Sequence, residues 1–206
     1  MYARTTTMRV EPRDVDDLIT LAHDEVMPMV TQLNGCVGLS LLVDRDAGRC
    51  ITTSAWESEE AMHASAEAVR ESRERTAQRF AATPEIQEWE IAVLHRAHRV
   101  DDGACARVVW TRTDPSNLGR VLDAYRDSLM PWWEETAGFC SNSLLVDRGD
   151  GRCSSTVVFE SREAMSGTRD QFMTLREEFV QRMGMEILEV AEFDLALAHL
   201  RVPETV

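Results

Sequence analysis

The sequence predicts an α+β chain built from two copies of one β-α-β-β-α-β unit, and three observations carry that prediction. The first is an internal repeat. Gly35 to Cys50 (GCVGLSLLVDRDAGRC) returns as Gly138 to Cys153 (GFCSNSLLVDRGDGRC), an offset of 138 − 35 = 103. The same offset pairs Pro12 with Pro115, Met27-Pro28 with Met130-Pro131, and Glu60-Ala61-Met62 with Glu163-Ala164-Met165. A one-residue insertion then moves it to 104, matching Glu85 to Glu90 with Glu189 to Asp194 and His95 with His199. Repetition over units of this length marks a duplicated domain. The second observation is that each copy alternates extended and helical periodicity in the same order. The third is bulk composition: 206 residues, 44% hydrophobic and 28% charged, is the make-up of one large globular domain or two small ones.

Each element follows from local chemistry. Thr5 to Val10 is a Thr-rich extended run ahead of Pro12, which suits the first turn of a helix. From Val15, apolar residues recur at Leu18, Ile19, Ala22, Val26 and Met29 with helical period. Pro28 is expected to kink this helix near its end, and Gly35 to release the chain. Two β-rich runs follow, Val37 to Val43 and Cys50 to Trp56, joined as a hairpin in which Gly48 takes the positive-φ position. Ser58 caps a helix expected to run to Phe80, and the last strand begins near Glu85 and includes Trp89, Ile91 and Val93.

This order, read twice, is the split βαβ or ferredoxin-like unit. With both helices on one side of an antiparallel sheet, the other face needs a cover, and the sheet of the second copy is the expected one. The halves are therefore expected to pack sheet to sheet within one chain as an intrachain α+β barrel imitating a dimer. The expected boundaries are 1–98 for the first repeat, 99–104 for a linker and 105–206 for the second.

Charge and composition exclude several function classes. With 22 basic and 36 acidic residues the net charge is 22 − 36 = −14, which repels nucleic acid and anionic lipid. No apolar run approaches the ~20 residues that cross a bilayer, and the first seven residues lack the apolar core of a secretion signal, so the expectation is a soluble, cytoplasmic protein. Every basic residue is Arg, as in a GC-rich, actinobacterial-type coding genome. The absence of Lys excludes Schiff-base catalysis and a phosphate loop that needs its Lys. Five cysteines with no C-x-x-C pair argue against a disulfide framework or a zinc cluster. No Ser–His–Asp order or nucleophile elbow is present, and His95, His98 and Cys105 are too scattered beside Asp101-Asp102-Gly103 to argue for a metal. Neither a metal nor another cofactor is expected.

Each half resembles the antibiotic biosynthesis monooxygenase-like domains of the dimeric α+β barrel superfamily. The resemblance rests on Gly35-Cys36 after the first helix and on Trp56-Glu57-Ser58-Glu59-Glu60-Ala61-Met62 across the strand-to-helix junction. Their second-copy equivalents are Gly138-Phe139 and Phe159-Glu160-Ser161-Arg162-Glu163-Ala164-Met165. The resemblance implies a pocket between the sheet and the two helices, and a cofactor-independent, monooxygenase-like protein binding or oxidising a small aromatic or quinone-like molecule. It also implies an intrachain version of a homodimer, which can itself associate into a homodimer or higher oligomer. The family's chemistry does not carry over residue by residue. Where haem-degrading relatives place a Trp and a His on the second helix, this chain has Ser65 and Arg75 in one copy and Thr168 and Glu178 in the other. Their opening-strand Asn has no match in Thr5-Thr6-Thr7 or Val108-Val109-Trp110. The alternative is therefore a non-catalytic barrel serving assembly or regulation.

The catalytic candidates are His23 and His63, each on the flank of an apolar helical stripe, where they either aim into the gap between the helices as proton acceptors or stay half-exposed without a shared role. Binding candidates are Ser40 and its equivalent Ser143, Trp56 and its equivalent Phe159, and three second-copy novelties: Tyr125, Trp132-Trp133 and Asn142. Trp56 reads as core or as a stacking wall. Neighbouring tryptophans lie ~100° apart on a helix, so one of Trp132 and Trp133 faces a core and the other a pocket, an interface or solvent.

Overall fold

The computed structural model describes residues 1–98, 100 and 103–200. Two compact units emerge. One holds residues 1–89 with the end of the last strand from Phe193, and the other holds residues 90–192. The expected linker at 99–104 falls partly on residues 99, 101 and 102, outside the described residues, as does the Asp101-Asp102 pair.

The first unit runs β1 (Tyr2–Arg9), a 3-10 turn (Pro12–Asp14), α1 (Val15–Leu21), a π turn (Ala22–Val26), α2 (Met27–Thr31), β2 (Cys36–Asp44), β3 (Arg49–Trp56), α3 (Glu59–Ala64) and α4 (Ala66–Arg79), and ends on the start of β4 (Glu85–Arg96). The second repeats it as β5 (Cys105–Arg112), a 3-10 turn (Pro115–Asn117), α5 (Leu118–Ala124), a π turn (Tyr125–Leu129), α6 (Met130–Glu134), β6 (Phe139–Val146), β7 (Arg152–Phe159), α7 (Arg162–Gly167), α8 (Arg169–Met183) and the start of β8 (Glu186–Leu200). In the first unit β3 pairs antiparallel with β1 and β2, and β2 pairs on its other side with the end of β8, Val43 opposite Asp194. In the second, β7 pairs with β5 and β6, and β6 with β4, Ile91 opposite Leu145. The hydrogen-bonding order β1-β3-β2-β8-β5-β7-β6-β4 closes on itself as a barrel.

One local expectation gains detail and another changes. Pro28 has no N–H to give, and just ahead of it Met27 N donates five residues back to the Ala22 carbonyl, the wider π spacing. Pro131 repeats this, with Met130 N donating to Tyr125 O. The single helix expected from Ser58 to Phe80 is two, broken at Ser65. The Met62 carbonyl, which a continuous helix would bond to residue 66, instead accepts from Arg4 Nη2 (2.9 Å) and Ser65 Oγ (2.7 Å). Arg107 Nη2 and Thr168 Oγ1 do the same to the Met165 carbonyl and divide α7 from α8.

The hairpins fix the end of β1 and β5. Gly48 sits at φ +62°, and a Cβ there would lie 2.0 Å from the Val10 carbonyl oxygen. Val10 N in turn donates to Gly48 O at 2.9 Å. The core lies between sheet and helices in each unit. In the first, two clusters set mostly aliphatic side chains around Trp56: Val15, Leu18, Leu41, Val43, Val30 and Met62. In the second it is aromatic, with Tyr125 and Phe179 in one cluster and Trp133, Phe139, Phe159 and Phe172 in another.

Candidate functional site

Each unit has a cavity of about 60 Å³ between its sheet and its helices, and the two are equivalent through the repeat. Thr52 lines the first where Ser155 lines the second, Cys50 where Cys153, and Arg73 where Arg176. The walls otherwise differ in size. Ala22, Val30, Val69 and Thr76 in the first unit stand where Tyr125, Trp133, Phe172 and Phe179 stand in the second. The first unit alone has, among the pockets described, a vestibule on this side: a further space of about 220 Å³ shares Leu21, Val26, Ser72 and Thr76 with the cavity and adds Glu25, Met29, Arg75 and Arg79. A dry cavity that takes benzene measures ~150 Å³. A ring therefore fits the first unit only by spanning cavity and vestibule.

The second unit keeps a cavity of about 60 Å³ but rings it with aromatic side chains, and among the pockets described no vestibule adjoins it. Trp133 packs against Phe172 (ring centroids 5.4 Å apart), Phe159 (6.0 Å) and Phe139 (6.1 Å). Two guanidinium groups lie over Phe172, Arg107 at 4.9 Å and Arg176 at 5.5 Å from its ring centre. The Tyr125 hydroxyl lies 2.9 Å from Asn142 Oδ1 and 2.7 Å from Ser155 Oγ, and Asn142 Nδ2 donates to Thr156 O at 3.2 Å. Burial, only partly offset by those two hydrogen bonds, pushes the Tyr125 phenol up to about 12.

An arginine clamp recurs in both copies. Arg4, buried on β1, donates to Glu88 Oε1 (2.9 Å), Ser65 Oγ (3.2 Å) and Met62 O. Arg107 donates to Glu192, Thr168 Oγ1 and Met165 O. Burial of the Glu88 carboxyl would raise its pKa, but hydrogen bonding and charge from Arg4, then from His63, bring it below the ordinary Glu value. Arg73 contrasts with Arg4. It lines the first cavity half-buried and has no hydrogen bond or ion pair of its own among the described residues. Burial first, then the positive charge of Arg4, pushes its pKa below the usual Arg value. The thiols in the two cavities are held protonated: burial raises Cys50 and Cys153 each to about 11.

The candidates read from sequence divide sharply between the units. His23 is 61% exposed on the first π turn and pairs with its neighbour Asp24 at 2.7 Å. His63 is exposed on α3, its Nε2 3.2 Å from Glu88 Oε2. Neither is among the residues lining either cavity, and the structure does not bring them into one site. Trp56 is fully buried against Val30, Leu39 and Met62, its indole N–H donating to Ser54 Oγ at 3.1 Å. Ser54 lines the cavity, so Trp56 supports its floor from beneath. Ser40 and Ser143 are half-buried on β2 and β6, opposite Thr53 and Thr156 and outside both linings. Tyr125 and Asn142 meet, as do Trp132, Trp133 and Phe159. Trp133 is the buried member of its pair, whereas Trp132 is half-buried beside an open surface groove. His95 rests on the Phe139 ring and reaches Glu134 at 3.2 Å. Among the described residues no group of three or more His, Cys, Asp or Glu side chains is placed to hold a metal ion.

The residues that sequence reasoning passed over are the arginines. Arg4 and Arg107, Arg73 and Arg176 are equivalent at offset 103, and Glu88 and Glu192 at 104. A charge retained in the middle of a strand that must face a helix was the available signal.

A family model described as antibiotic biosynthesis monooxygenase matches residues 1–89. The uncharacterized protein Rv2558 of Mycobacterium tuberculosis is 50% identical over 100% of this chain and 88% of its own length. Rv2557 of the same organism is 48% identical over 100% of this chain and 92% of its own. Among solved structures, a putative monooxygenase from Lactobacillus acidophilus superposes with a TM-score of 0.71 at 10% identity, over 97% of this chain and 96% of that one. An anthrone oxidase-like protein gives 0.68 at 16% identity, over 99% and 95%. At these identities the two structures establish the fold alone. Among the described residues no helix is long and apolar enough to cross a membrane. The chain belongs to the family of the two mycobacterial proteins, a tandem duplicate of the antibiotic biosynthesis monooxygenase-like domain.

Proposed function

We propose that this protein binds one small aromatic or quinone-like molecule per chain, in the cavity and vestibule of its first unit. The observation that carries the reading is the exchange of four large side chains for small ones at equivalent positions: Ala22, Val30, Val69 and Thr76 against Tyr125, Trp133, Phe172 and Phe179. The second unit's rings serve as scaffold, and a ligand ring takes their place in the first. Binding without turnover is favoured over oxidation by one feature of the cavity wall. It carries no His, its thiol, Cys50, is held protonated, and the one carboxylate of the site, Glu25, lies out in the vestibule beside Arg75 and Arg79.

The test is a titration with 1,4-naphthoquinone and 2-naphthol, followed by native mass spectrometry and by nuclear magnetic resonance of the labelled chain. The expected result is one ligand per chain, with shifts confined to first-unit resonances and lost in the filling variants Ala22→Tyr and Val69→Phe. Binding that survives both substitutions would overturn the site. Aerobic incubation of the 2-naphthol complex separates the two chemical outcomes. Recovery of unchanged ligand supports a binding protein, and a product heavier by one oxygen atom restores an oxygenase.

A further inference from the structure

We propose that the first-unit pocket selects anionic aromatic ligands, a carboxylate being bound by the unpaired Arg73 while the ring occupies the slot beside Arg4 that a phenylalanine fills in the second copy. This rests on the binding function proposed above and names its ligand class.

The argument starts from what the second unit does with the same geometry. There both Arg107 and Arg176 lie over the Phe172 ring, so each guanidinium group has an aromatic face to stack on. The first unit keeps both cations, as Arg4 and Arg73, but has Val69 at the position of the ring. Arg4 is neutralised by Glu88 at 2.7 Å. Among the described residues Arg73 has no such partner; burial and then the positive charge of Arg4 act against it, with Glu74 and Glu88 offsetting only part of that. An unpaired cation in a partly buried wall is a cost to the free protein that an anion removes. A carboxylate matches a guanidinium in charge and in its pair of parallel N–H donors. The Thr52 hydroxyl lines the same cavity and can donate to a second oxygen, whereas Thr76 Oγ1 donates to the Ser72 carbonyl at 3.0 Å and Ser54 Oγ to the Arg4 carbonyl at 3.4 Å.

The approach to the cavity has the same sign. Arg75 and Arg79 line the vestibule against the single carboxylate of Glu25, so four arginines face one acid across cavity and vestibule. This occurs in a chain whose net charge is −14. At the equivalent of Arg75 the second copy has Glu178. Three of these arginines recur in the second copy as Arg107, Arg176 and Arg182, so what the first unit adds is Arg75 at the mouth of its pocket, where positive charge steers anions inward against an otherwise repelling surface.

Calorimetric titration of the full chain with 2-naphthoate and its neutral isostere 2-naphthamide tests the inference. Expected is naphthoate binding at least ~10-fold tighter than naphthamide, worth ~1.4 kcal/mol. In Arg73→Gln that preference should fall to about twofold or less, with the larger loss of affinity falling on naphthoate. Because Arg73 makes no hydrogen bond, the variant should fold with an unchanged or raised melting temperature, and Arg73→Lys should recover part of the preference. Equal affinity for both probes would overturn the anion selectivity while leaving the pocket intact. A naphthoate preference that persists in Arg73→Gln would overturn the assignment to Arg73. Binding of neither probe up to millimolar concentration would overturn the binding function together with this inference.

Discussion

Exchanging Phe172 for Val gives the second unit the first unit's residue, and the cost of that change measures how much the ring fills. Phe172 is 7% exposed and touches Trp133, Arg107 and Arg176. The substitution removes about four buried carbons, which at ~0.8 kcal/mol each is about 3 kcal/mol. Loss of the ring beneath two cations adds about 1 kcal/mol. The sum of about 4 kcal/mol lies inside the ~3–5 kcal/mol range of Phe-to-Ala truncations in cores. Urea denaturation followed by tryptophan fluorescence reads it as a lower midpoint. The reverse change, Val69→Phe, has a different expectation. A filled site would resist the larger ring and lose ~1–3 kcal/mol through overpacking. With the cavity, the vestibule and two guanidinium groups awaiting a ring, the loss should stay below about 1 kcal/mol. A Phe172→Val cost below about 1 kcal/mol, or a Val69→Phe cost above about 2 kcal/mol, would refute the view that rings pack one copy's cavity wall where the other leaves room.

Four further outcomes are expected. Ala at Gly48 or Gly151 places a methyl 2.0 or 1.9 Å from a backbone oxygen at positive φ, and each should cost about 2–4 kcal/mol in thermal melts, whereas Gly119→Ala, with nothing within 4 Å, should cost nothing. Absorbance titration should show the Tyr125 phenol ionising only near pH 12 and that step vanishing in Tyr125→Phe. Because the folded state holds this proton more tightly than the unfolded one, stability should fall as pH rises from ~10 towards 12. The Glu88 carboxyl is depressed in the fold, so its pairing with Arg4 stabilises fully above the unfolded Glu value of ~4.3 and is lost as pH falls through the lower folded value. Denaturant midpoints of wild type and Glu88→Gln should therefore differ at pH 6 and converge below pH 4.

Legibility in the sequence tracks the range of the interaction responsible. The Ser58 cap, whose Oγ accepts from Ala61 N at 3.1 Å, and the hairpin glycine Gly48 depend on a few neighbouring residues and were visible in one copy, then reinforced by the other. The break at Ser65 was not, because it is made by Arg4, 61 residues away, taking up the Met62 carbonyl and the Ser65 hydroxyl. The histidines stayed open to two readings for a related reason. A helical wheel puts His23 and His63 beside an apolar stripe but does not say that Asp24 and Glu88 hold them at the surface. Likewise the exchange of Met29-Val30 for Trp132-Trp133 was readable as an asymmetry. Its complement on the second helix, Val69 and Thr76 against Phe172 and Phe179, was not connected to it, since only the fold brings the two helices over one patch of sheet. Nor does a repeat offset reveal which neighbour a strand will choose: β2 pairs with the end of β8, and β6 with β4.

Duplication supplies an internal control for separating scaffold from site. Positions that keep both chemistry and contacts in the two copies are accounted for by the fold alone. Arg4 and Arg107 each bind a Glu, a hydroxyl and the same carbonyl at a helix break, and removing either would leave buried acceptors unsatisfied whatever the protein binds. Among the many positions that diverge while the backbone stays the same, four exchanges of a large side chain for a small one fall on one volume. Ala22, Val30, Val69 and Thr76 come from the first π turn, α2 and α4, yet all line a single cavity. On the binding function proposed above, these four positions mark where a ligand ring would sit beside Arg73, as the Phe172 ring sits beside Arg176 in the second copy.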